Sequence, residues 1–186
     1  MSLRIIGRLL RRVHAGDREL VCNHPALRDA PETIRLHSAS FAAGGLMPIR
    51  CAGSGVGQNL SPQLGWTDVP DATAELLLIM QDPDAPLRRP VVHLIAFGID
   101  PQHVALAEGT LSSQANSIKF GCGTFGKPGY QGPRPVPGHG RHRYIFQIIA
   151  LATPLLFDAP PKLDAVIAAL GGNVLAWGQL TGLFER

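Results

Sequence analysis

The stretch 75-ELLLIMQDPDAP-86 joins an apolar run to two carboxylates and two prolines. The run is short and strongly apolar, as expected for a central strand that is covered on both faces. Asp82 precedes a proline and is therefore biased towards extended backbone, so Asp82 and Asp84 would point to the same side if the extension persists. Pro83 and Pro86 stiffen the turn that follows. The stretch predicts a buried strand with a carboxylate held at its end.

Two further apolar runs, 91-VVHLIAFGI-99 and 144-YIFQIIAL-151, predict strands of the same kind. Residues 33–41 alternate well enough for another strand, and residues 42–65 are rich in Gly, Ser and Pro and are typical of loops. No convincing helices separate the strands, so a doubly wound parallel sheet is not expected. A mainly β, mostly antiparallel fold with late helices fits the pattern better.

Helical periodicity is confined to the C-terminal part of the chain. One apolar stripe, which Gly171 ends, consists of Leu163, Val166, Ile167 and Leu170. Asn173 is predicted to cap a second short helix that carries Val174 and Trp177. The final residues LTGLFER fit a closing strand.

Composition narrows the class of protein. The 186 residues suit one domain, and 45% apolar with 17% charged residues is ordinary for a globular protein. A net charge of +3 is too small to indicate nucleic-acid binding, and no apolar run approaches a membrane span. Three widely spaced cysteines form neither a disulfide framework nor a zinc signature. With no recognisable signal peptide, a cytoplasmic protein is expected.

Residues 1–32 are predicted to be a basic N-terminal arm in front of a single domain over residues 33–186. Residues 1–13 place apolar side chains at helical spacing among arginines, which predicts a short amphipathic helix. Such a helix suits either a membrane surface or partner protein, or docking on its own domain or on a second subunit in a homodimer. Docking is favoured because the segment is short.

The segment 121–140 holds seven glycines and four prolines and leads directly into 142-HRYIF-146. A connection of this length without regular structure is uncommon inside a compact domain and tends to be functional. Glycines permit close approach of the backbone to a ligand, and prolines fix its angles. The segment therefore predicts a binding site at the start of the strand that follows it.

Polar side chains interrupt the ends of the predicted strands. His93 is the one ionisable residue of its run, and His142 and Tyr144 share a strand face from which Arg143 points away. Buried ionisable groups are costly unless they are paired. An aspartate such as Asp82 can keep a histidine protonated, and imidazoles and a phenol can then donate to an oxyanion such as phosphate.

Two other kinds of site compete with this interpretation. Histidines and a carboxylate could bind zinc or iron, but the chain has no HExxH motif and no i, i+4 histidine pair. A Ser–His–Asp hydrolase needs a nucleophile elbow, and the residues around Ser54 lack its first glycine. Neither a metal nor a cofactor is predicted, and no nucleophile stands out.

At these residues the chain resembles the phosphatidylethanolamine-binding protein family. The resemblance rests on DPDAP, on the strand that contains His93, and on 132-GPRPVPGHGRHRYIF-146. The segments 36-LHSASFAAGGLMP-48 and 59-NLSPQLGW-66 are similar to the bacterial and archaeal branch of that family. The resemblance spans about residues 33–186. It implies a large antiparallel sheet packed on a smaller sheet, with short C-terminal helices and a small anion pocket.

Carried over residue by residue, the resemblance assigns the ligand-binding positions to Asp82, His93, Gly132, Pro133, His142 and Tyr144. Asp84 is expected to stabilise the DPDAP turn or to lie at the rim. Arg134 stands where the family usually has cysteine, and it either turns to solvent or adds positive charge at the pocket mouth.

The function that the resemblance implies is a small-anion binding module for phosphate or a phosphoethanolamine headgroup. Family members include kinase regulators and protease inhibitors, so a protein partner of that kind is a further expectation. The alternative is a hydrolase acting on a small phosphorylated or acyl substrate, with the Asp/His pocket supplying general acid–base catalysis. A binding protein is favoured over an enzyme because no nucleophile stands out.

Overall fold

A computed structural model of the protein describes residues 2–112 and 117–186. The strands are β1 (Arg35–His37), β2 (Leu64–Thr67), β3 (Glu75–Asp82), β4 (Val91–Ile99), β5 (Ala105–Leu106), β6 (Lys119–Phe120), β7 (His142–Leu151) and β8 (Val174–Phe184). The α-helices are α1 (Leu3–Leu10) and α2 (Leu163–Ala169), and short 3-10 helices cover Val21–Asn23, Pro25–Leu27 and Ile49–Cys51.

The strands form two antiparallel sheets. A five-stranded sheet has the order β6-β4-β3-β7-β8, and a three-stranded sheet has the order β1-β2-β5. Buried side chains of both sheets meet in one core, to which the small sheet contributes Leu64 and Trp66. The predicted mainly β fold, with a large antiparallel sheet on a smaller one, is confirmed.

Strand β3 shows why the run 76-LLLIM-80 is continuously apolar. Leu76, Leu78 and Met80 join the core between the sheets, whereas Leu77 and Ile79 point into a second core on the opposite face. Helix α2 and the segment around Val21–Leu27 cover that second core. Successive side chains of a strand point to opposite faces, so a strand covered on both faces has to be apolar at every position.

The second C-terminal helix predicted from Asn173 is wrong, because Val174–Phe184 forms β8 and pairs with β7 along its length. Gly178 explains the difference. A Cβ at Gly178 would lie 1.8 Å from the carbonyl oxygen of Ile34, so the strand approaches its neighbour more closely than a side chain allows. Glycine is also unfavourable inside a helix. The predicted closing strand at LTGLFER is confirmed as the end of β8.

The predicted strand over residues 33–41 is shorter in the structure, where it covers only Arg35–His37. The predicted helix within residues 1–13 is present as α1, and it lies against the segment 137–139. A Cβ at Gly7 would lie 2.1 Å from the carbonyl oxygen of Pro137. No helix in residues 2–112 and 117–186 is long and apolar enough to cross a membrane.

Two buried glutamines attach the N-terminal segment to the large sheet. The side-chain oxygen of Gln81 accepts from the backbone N–H of Val21 (2.9 Å) and from the side-chain amide of Gln147 (2.9 Å). The oxygen of Gln147 accepts from the backbone N–H of Cys22 (2.6 Å), and the amide of Gln81 donates to the carbonyl of Glu19 (3.2 Å). Residues 19–22 are therefore held by the central strands β3 and β7.

Replacing Gln81 with leucine should lower the free energy of unfolding by about 2 kcal/mol, because buried donors and an acceptor lose their partners. Urea denaturation of the variant would measure this loss. Gln102→Leu, at an exposed turn position, is the matched control and should change stability little. Equal stabilities for the two variants would show that the glutamine bonds do not hold the N-terminal segment.

Candidate functional site

A cavity of about 590 Å³ opens where β3 ends and β4 and β7 begin. Its polar wall contains Asp82, His93, His142 and Tyr144, four of the six residues predicted to bind ligand. Three different strands supply these side chains. Because β3 is antiparallel to both β4 and β7, the end of β3 and the beginnings of its two neighbours meet at one edge of the sheet.

Asp82 uses both carboxylate oxygens and is 4% exposed. Oδ1 accepts from the backbone N–H groups of Asp84 (2.8 Å) and Ala85 (3.1 Å), which closes the turn after β3. Oδ2 accepts from Nδ1 of His142 (2.8 Å). Asp82 therefore stabilises the turn and orients a pocket histidine at the same time.

His142 makes a second hydrogen bond on the far side of its ring. Its Nε2 lies 2.8 Å from Nδ1 of His139, and both rings are buried. With Asp82 on one nitrogen and His139 on the other, His142 has no free N–H for a ligand in this structure. The hypothesis that His142 donates directly to an anion does not agree with this geometry.

His93 sits at an irregularity of β4. Met80 pairs with Leu94 but Gln81 pairs with Val92, so His93 has no opposite residue in this ladder. Strand alternation alone does not predict where such a side chain points, because the bulge changes the face of every residue beyond it.

The two nitrogens of His93 have different surroundings. Nδ1 lies 2.6 Å from the carbonyl oxygen of Gln131, which can only accept, so Nδ1 carries the proton. Within residues 2–112 and 117–186, Nε2 is buried without a hydrogen-bond partner, and it lies 4.0 Å from Oδ2 of Asp82. Burial lowers the pKa of His93 despite the nearby carboxylate of Asp82. The ring is thus held by its backbone contact and presents an unsatisfied nitrogen to the cavity.

Tyr144 presents a second unsatisfied group. Its hydroxyl is buried and has no hydrogen-bond partner among the residues that the structure describes. Its ring lies edge to face with His93 at a centroid distance of 5.2 Å and stacks on His142 at 6.4 Å. Burial raises the pKa of Tyr144 well above its usual value, and the charge of Asp82, whose carboxylate lies near the hydroxyl but beyond hydrogen-bond distance, raises it further. The phenol therefore stays protonated and is a hydrogen-bond donor.

Asp84 does not point to the same side as Asp82, because a turn replaces the extended backbone after β3. Its carboxylate accepts from the backbone N–H (2.8 Å), Nε (2.9 Å) and Nη2 (2.7 Å) of Arg143. Burial alone would raise the pKa of Asp84, but these bonds and the charge of Arg143 outweigh it and lower the pKa. Asp84 is thus committed to an ion pair beside the pocket and does not line the cavity.

The glycine–proline segment enters the site through its backbone. Gly132 lines the cavity and donates its N–H to Oδ1 of Asn59 (2.8 Å), and a Cβ there would lie 2.1 Å from the carbonyl oxygen of Cys51. The amide of Asn59 also donates to the carbonyl of Tyr130 (3.0 Å). Pro133 is buried behind this wall, where its carbonyl accepts from Gly53. Asn59 therefore holds the segment in place.

The mouth of the cavity combines positive charge with apolar surface. Arg134 lies there, with its aliphatic stem against Gly53 and its residue exposed. The other cationic residues of the lining are Lys127 and Arg186, whereas Asp82 is its acidic residue. Exposed apolar side chains of the lining are Leu3, Leu87 and Phe125. Arg134 is thus exposed to solvent and also part of the lining, so a contribution of its charge to anion binding stays a prediction.

Sequence reasoning missed His139 and Asn59. Both lie in loops, where side-chain direction follows no period, so spacing alone does not select them. The signal that was available is chemical: His139 stands three residues before His142 in a glycine-rich segment. The positive φ of Asn59 (56°) is known only from the structure. Within the described part of the chain, no group of three His, Cys, Asp or Glu residues is arranged to hold a metal ion.

Comparisons with known proteins agree with the geometry. The family model of the phosphatidylethanolamine-binding protein matches residues 37–185. A UPF0098 protein of Aquifex aeolicus is 38% identical over 172 residues, which cover 90% of this chain and 97% of the relative. A UPF0098 protein of Methanothermobacter thermautotrophicus is 34% identical over 156 residues, covering 82% and 99% of the two chains.

A solved structure shows the same arrangement of strands. CT736 of Chlamydia trachomatis, described as a homologue of phosphatidylethanolamine-binding protein, superposes with a TM-score of 0.75 and 30% identity over 83% of this chain and 99% of its own. Apart from the first two residues of β1, the family match covers both sheets, and it covers every cavity residue discussed above except Leu3 and Arg186. The chain belongs to the phosphatidylethanolamine-binding protein family, in its bacterial and archaeal branch.

Proposed function

We propose that this ligand-binding module takes up a phosphate-type oxyanion, either free or as the headgroup of a phospholipid. The observation that carries the proposal is a pair of buried polar atoms without partners among residues 2–112 and 117–186, Nε2 of His93 and the hydroxyl of Tyr144. Both belong to residues that line the same cavity. An anionic ligand oxygen between them accepts from the tyrosine hydroxyl, and it also satisfies Nε2 once His93 is protonated there.

The free-energy cost of burying polar groups without partners favours a ligand between His93 and Tyr144. A buried polar group without a partner costs about 1–3 kcal/mol, so two such groups side by side are unfavourable until something binds them. The tyrosine hydroxyl donates a hydrogen bond, and protonation of His93 would provide a second, charge-assisted donor. This pair of donors suits an anion that has several oxygens.

The charges around the pocket agree with an anionic ligand. Asp82 is the nearest acid, but its hydrogen bonds to His142 and to two backbone N–H groups already stabilise its charge. Lys127, Arg134 and Arg186 line the mouth and attract anions. A cavity of about 590 Å³ also has room for a substituent on the phosphate.

The hydrolase alternative receives no support from the arrangement of the histidines. In a catalytic triad, the histidine that is held by the aspartate takes a proton from a hydroxyl through its other nitrogen. Here that nitrogen of His142 faces His139 at 2.8 Å. The Asp82–His142 pair therefore orients a charge and does not present a general base to a nucleophile.

Calorimetric titration of the full chain with phosphate and with phosphoethanolamine tests the proposal and separates the two sources. His93→Asn is the sharpest knockout, since the amide of asparagine can still reach the carbonyl of Gln131 but nothing replaces Nε2. Exposed His103→Asn is the matched control. Binding by wild type and by His103→Asn, with loss in His93→Asn, would support the proposal. A folded wild type that binds neither compound would refute it.

Acidic pH should strengthen anion binding. Burial lowers the pKa of His93, so the free protein holds this ring neutral near neutral pH, and an anion must bring a proton with it to gain the second donor. Affinity should therefore fall from pH 6 to pH 8.5, by up to about tenfold per pH unit. Titration with sulfate, which stays a dianion over this range, avoids the titration of phosphate itself. A flat profile for sulfate would show that a protonated His93 does not bind the anion.

A further inference from the structure

A chain of three hydrogen bonds runs from the pocket to the N-terminal helix. Oδ2 of Asp82 lies 2.8 Å from Nδ1 of His142, whose Nε2 lies 2.8 Å from Nδ1 of His139. The Nε2 of His139 then lies 2.8 Å from the carbonyl oxygen of Leu10 and 3.2 Å from that of Val13. Both rings are buried, with 1% of His142 and 3% of His139 exposed.

The ends of this chain determine how many protons it holds. A carboxylate and a carbonyl can only accept, so the nitrogens that face them, Nδ1 of His142 and Nε2 of His139, must both carry hydrogen. The contact between the two rings needs one hydrogen more. Three ring protons on two imidazoles are one more than two neutral rings possess, so the two rings carry one positive charge, which balances the carboxylate of Asp82.

The extra proton belongs on His142. That ring touches the carboxylate of Asp82, which stabilises a positive charge. Burial lowers the pKa of His139, as do the neighbouring His142 and the ring of His14 at 5.3 Å, although the carbonyl groups of α1 oppose this shift. His139 is thus neutral with its proton on Nε2, and its Nδ1 accepts from His142.

Other charged groups near this chain of hydrogen bonds already have partners. The carboxylate of Asp84 is bound by Arg143, which also pairs with Asp17 at 2.9 Å. His93 lies on the cavity side of Asp82, with its Nε2 4.0 Å from Oδ2. The ring of His14 contacts the backbone carbonyl oxygen of Asp84 at 3.1 Å. His139 therefore meets no carboxylate of its own, and its protonation follows its hydrogen bonds.

The last bond of the chain exists only while α1 is docked. Leu10 is the final residue of α1, and its carbonyl also accepts from the backbone N–H of Val13 (2.8 Å), so the bond from His139 is a second one to that oxygen. If α1 moved away, water would replace the carbonyls of Leu10 and Val13, and water can donate as well as accept. His139 could then turn its proton towards His142, and His142 could lose its second proton.

We propose that His139 is a positioning residue of the anion pocket: through it, the docked helix α1 keeps His142 doubly protonated beneath the ligand. The consequence is a link between the N-terminal segment and ligand affinity. When α1 leaves, the charge of Asp82 is no longer compensated and an anion in the pocket is repelled. The effect on affinity rests on the proposed function, whereas the number of ring protons does not.

Two single variants break the link between α1 and His142 and are designed to leave the rest of the fold intact. In His139→Asn the shorter amide can still contact His142 but does not reach the carbonyls of α1. In Gly7→Ala the new Cβ would lie 2.1 Å from the carbonyl oxygen of Pro137 and 2.7 Å from the backbone nitrogen of His139, which displaces α1 while favouring its helical state. Gly171→Ala is the matched control, since a Cβ there meets nothing within 4 Å.

The direct measurement is nitrogen-15 NMR of the histidine rings in the full chain at neutral pH. Wild type and Gly171→Ala should show both ring nitrogens of His142 protonated and only Nε2 of His139 protonated. Gly7→Ala and His139→Asn should each leave one ring proton on His142. A single ring proton on His142 in wild type, or an unchanged His142 in Gly7→Ala, would overturn the proposal even if no anion binds.

Phosphate titration provides the second readout. Gly7→Ala and His139→Asn should each weaken binding by about tenfold, which corresponds to one nearby charge in a partly screened environment. Because both changes break the same link, the double variant should bind as weakly as either single variant. Losses that multiply in the double variant would mean that α1 and His139 act separately, contrary to the proposal.

Discussion

Asp82→Ala is expected to lower the free energy of unfolding by about 3–5 kcal/mol, the usual cost of removing one partner of a buried ion pair. The carboxylate is 4% exposed and pairs with a histidine that is itself buried. Its other oxygen closes the turn through two backbone N–H groups, at Asp84 and Ala85. The variant therefore loses the pair and the turn together, and urea denaturation would measure the loss.

A second substitution separates the two roles of Asp82. Asparagine keeps an oxygen that can accept from the turn but carries no charge for His142, so Asp82→Asn should lose less stability than Asp82→Ala. Exposed Asp158→Ala is the control and should change stability little. If Asp82→Ala were as stable as that control, the hydrogen-bond chain beneath the pocket would have no structural role.

Tyr144→Phe should weaken phosphate binding by at least about tenfold, because a hydrogen bond to a charged ligand contributes roughly 1.5–3 kcal/mol. The same change should raise the stability of the free protein. It removes a buried hydroxyl that has no partner among the described residues and leaves the ring in place. Opposite signs for stability and binding are the signature of a group that is kept for its ligand. Thermal melts and calorimetric titration measure the two effects.

The chain contains its own control for that experiment. The hydroxyl of Tyr130 is also buried, but it donates to the carbonyl of Cys51 at 2.9 Å. Tyr130→Phe should therefore lower stability by about 1 kcal/mol and leave phosphate affinity nearly unchanged. If both phenylalanine variants were less stable and both still bound phosphate, the hydroxyl of Tyr144 would not be a ligand contact.

Several features of the site were predicted from the sequence because they depend on neighbours in the chain. Alternation along β3 and β7 places His142 and Tyr144 on one face, and a proline after Asp82 holds the carboxylate at the end of its strand. The order of strands in the large sheet cannot be read directly from the sequence. A second C-terminal helix was predicted wrongly. Gly178, which is unfavourable inside a helix, was the residue that could have prevented this error.

Other features arise only from contacts between distant segments. His139 meets the carbonyl of Leu10 across 129 positions of the chain, and Arg143 meets Asp17 across 126. The irregularity that leaves His93 without an opposite residue is a property of two paired strands and not of either strand alone.

Hydrophobic periodicity is encoded over a few residues, so the sequence was enough to predict the strands of a mainly β fold, and the family resemblance added the two-sheet arrangement and the residues of the pocket wall. Only the folded chain shows which nitrogen of each histidine is occupied, which carboxylate pairs with which cation, and that α1 reaches the pocket. Hydrogen bonds depend on distances of a few tenths of an ångström between groups that only folding brings together.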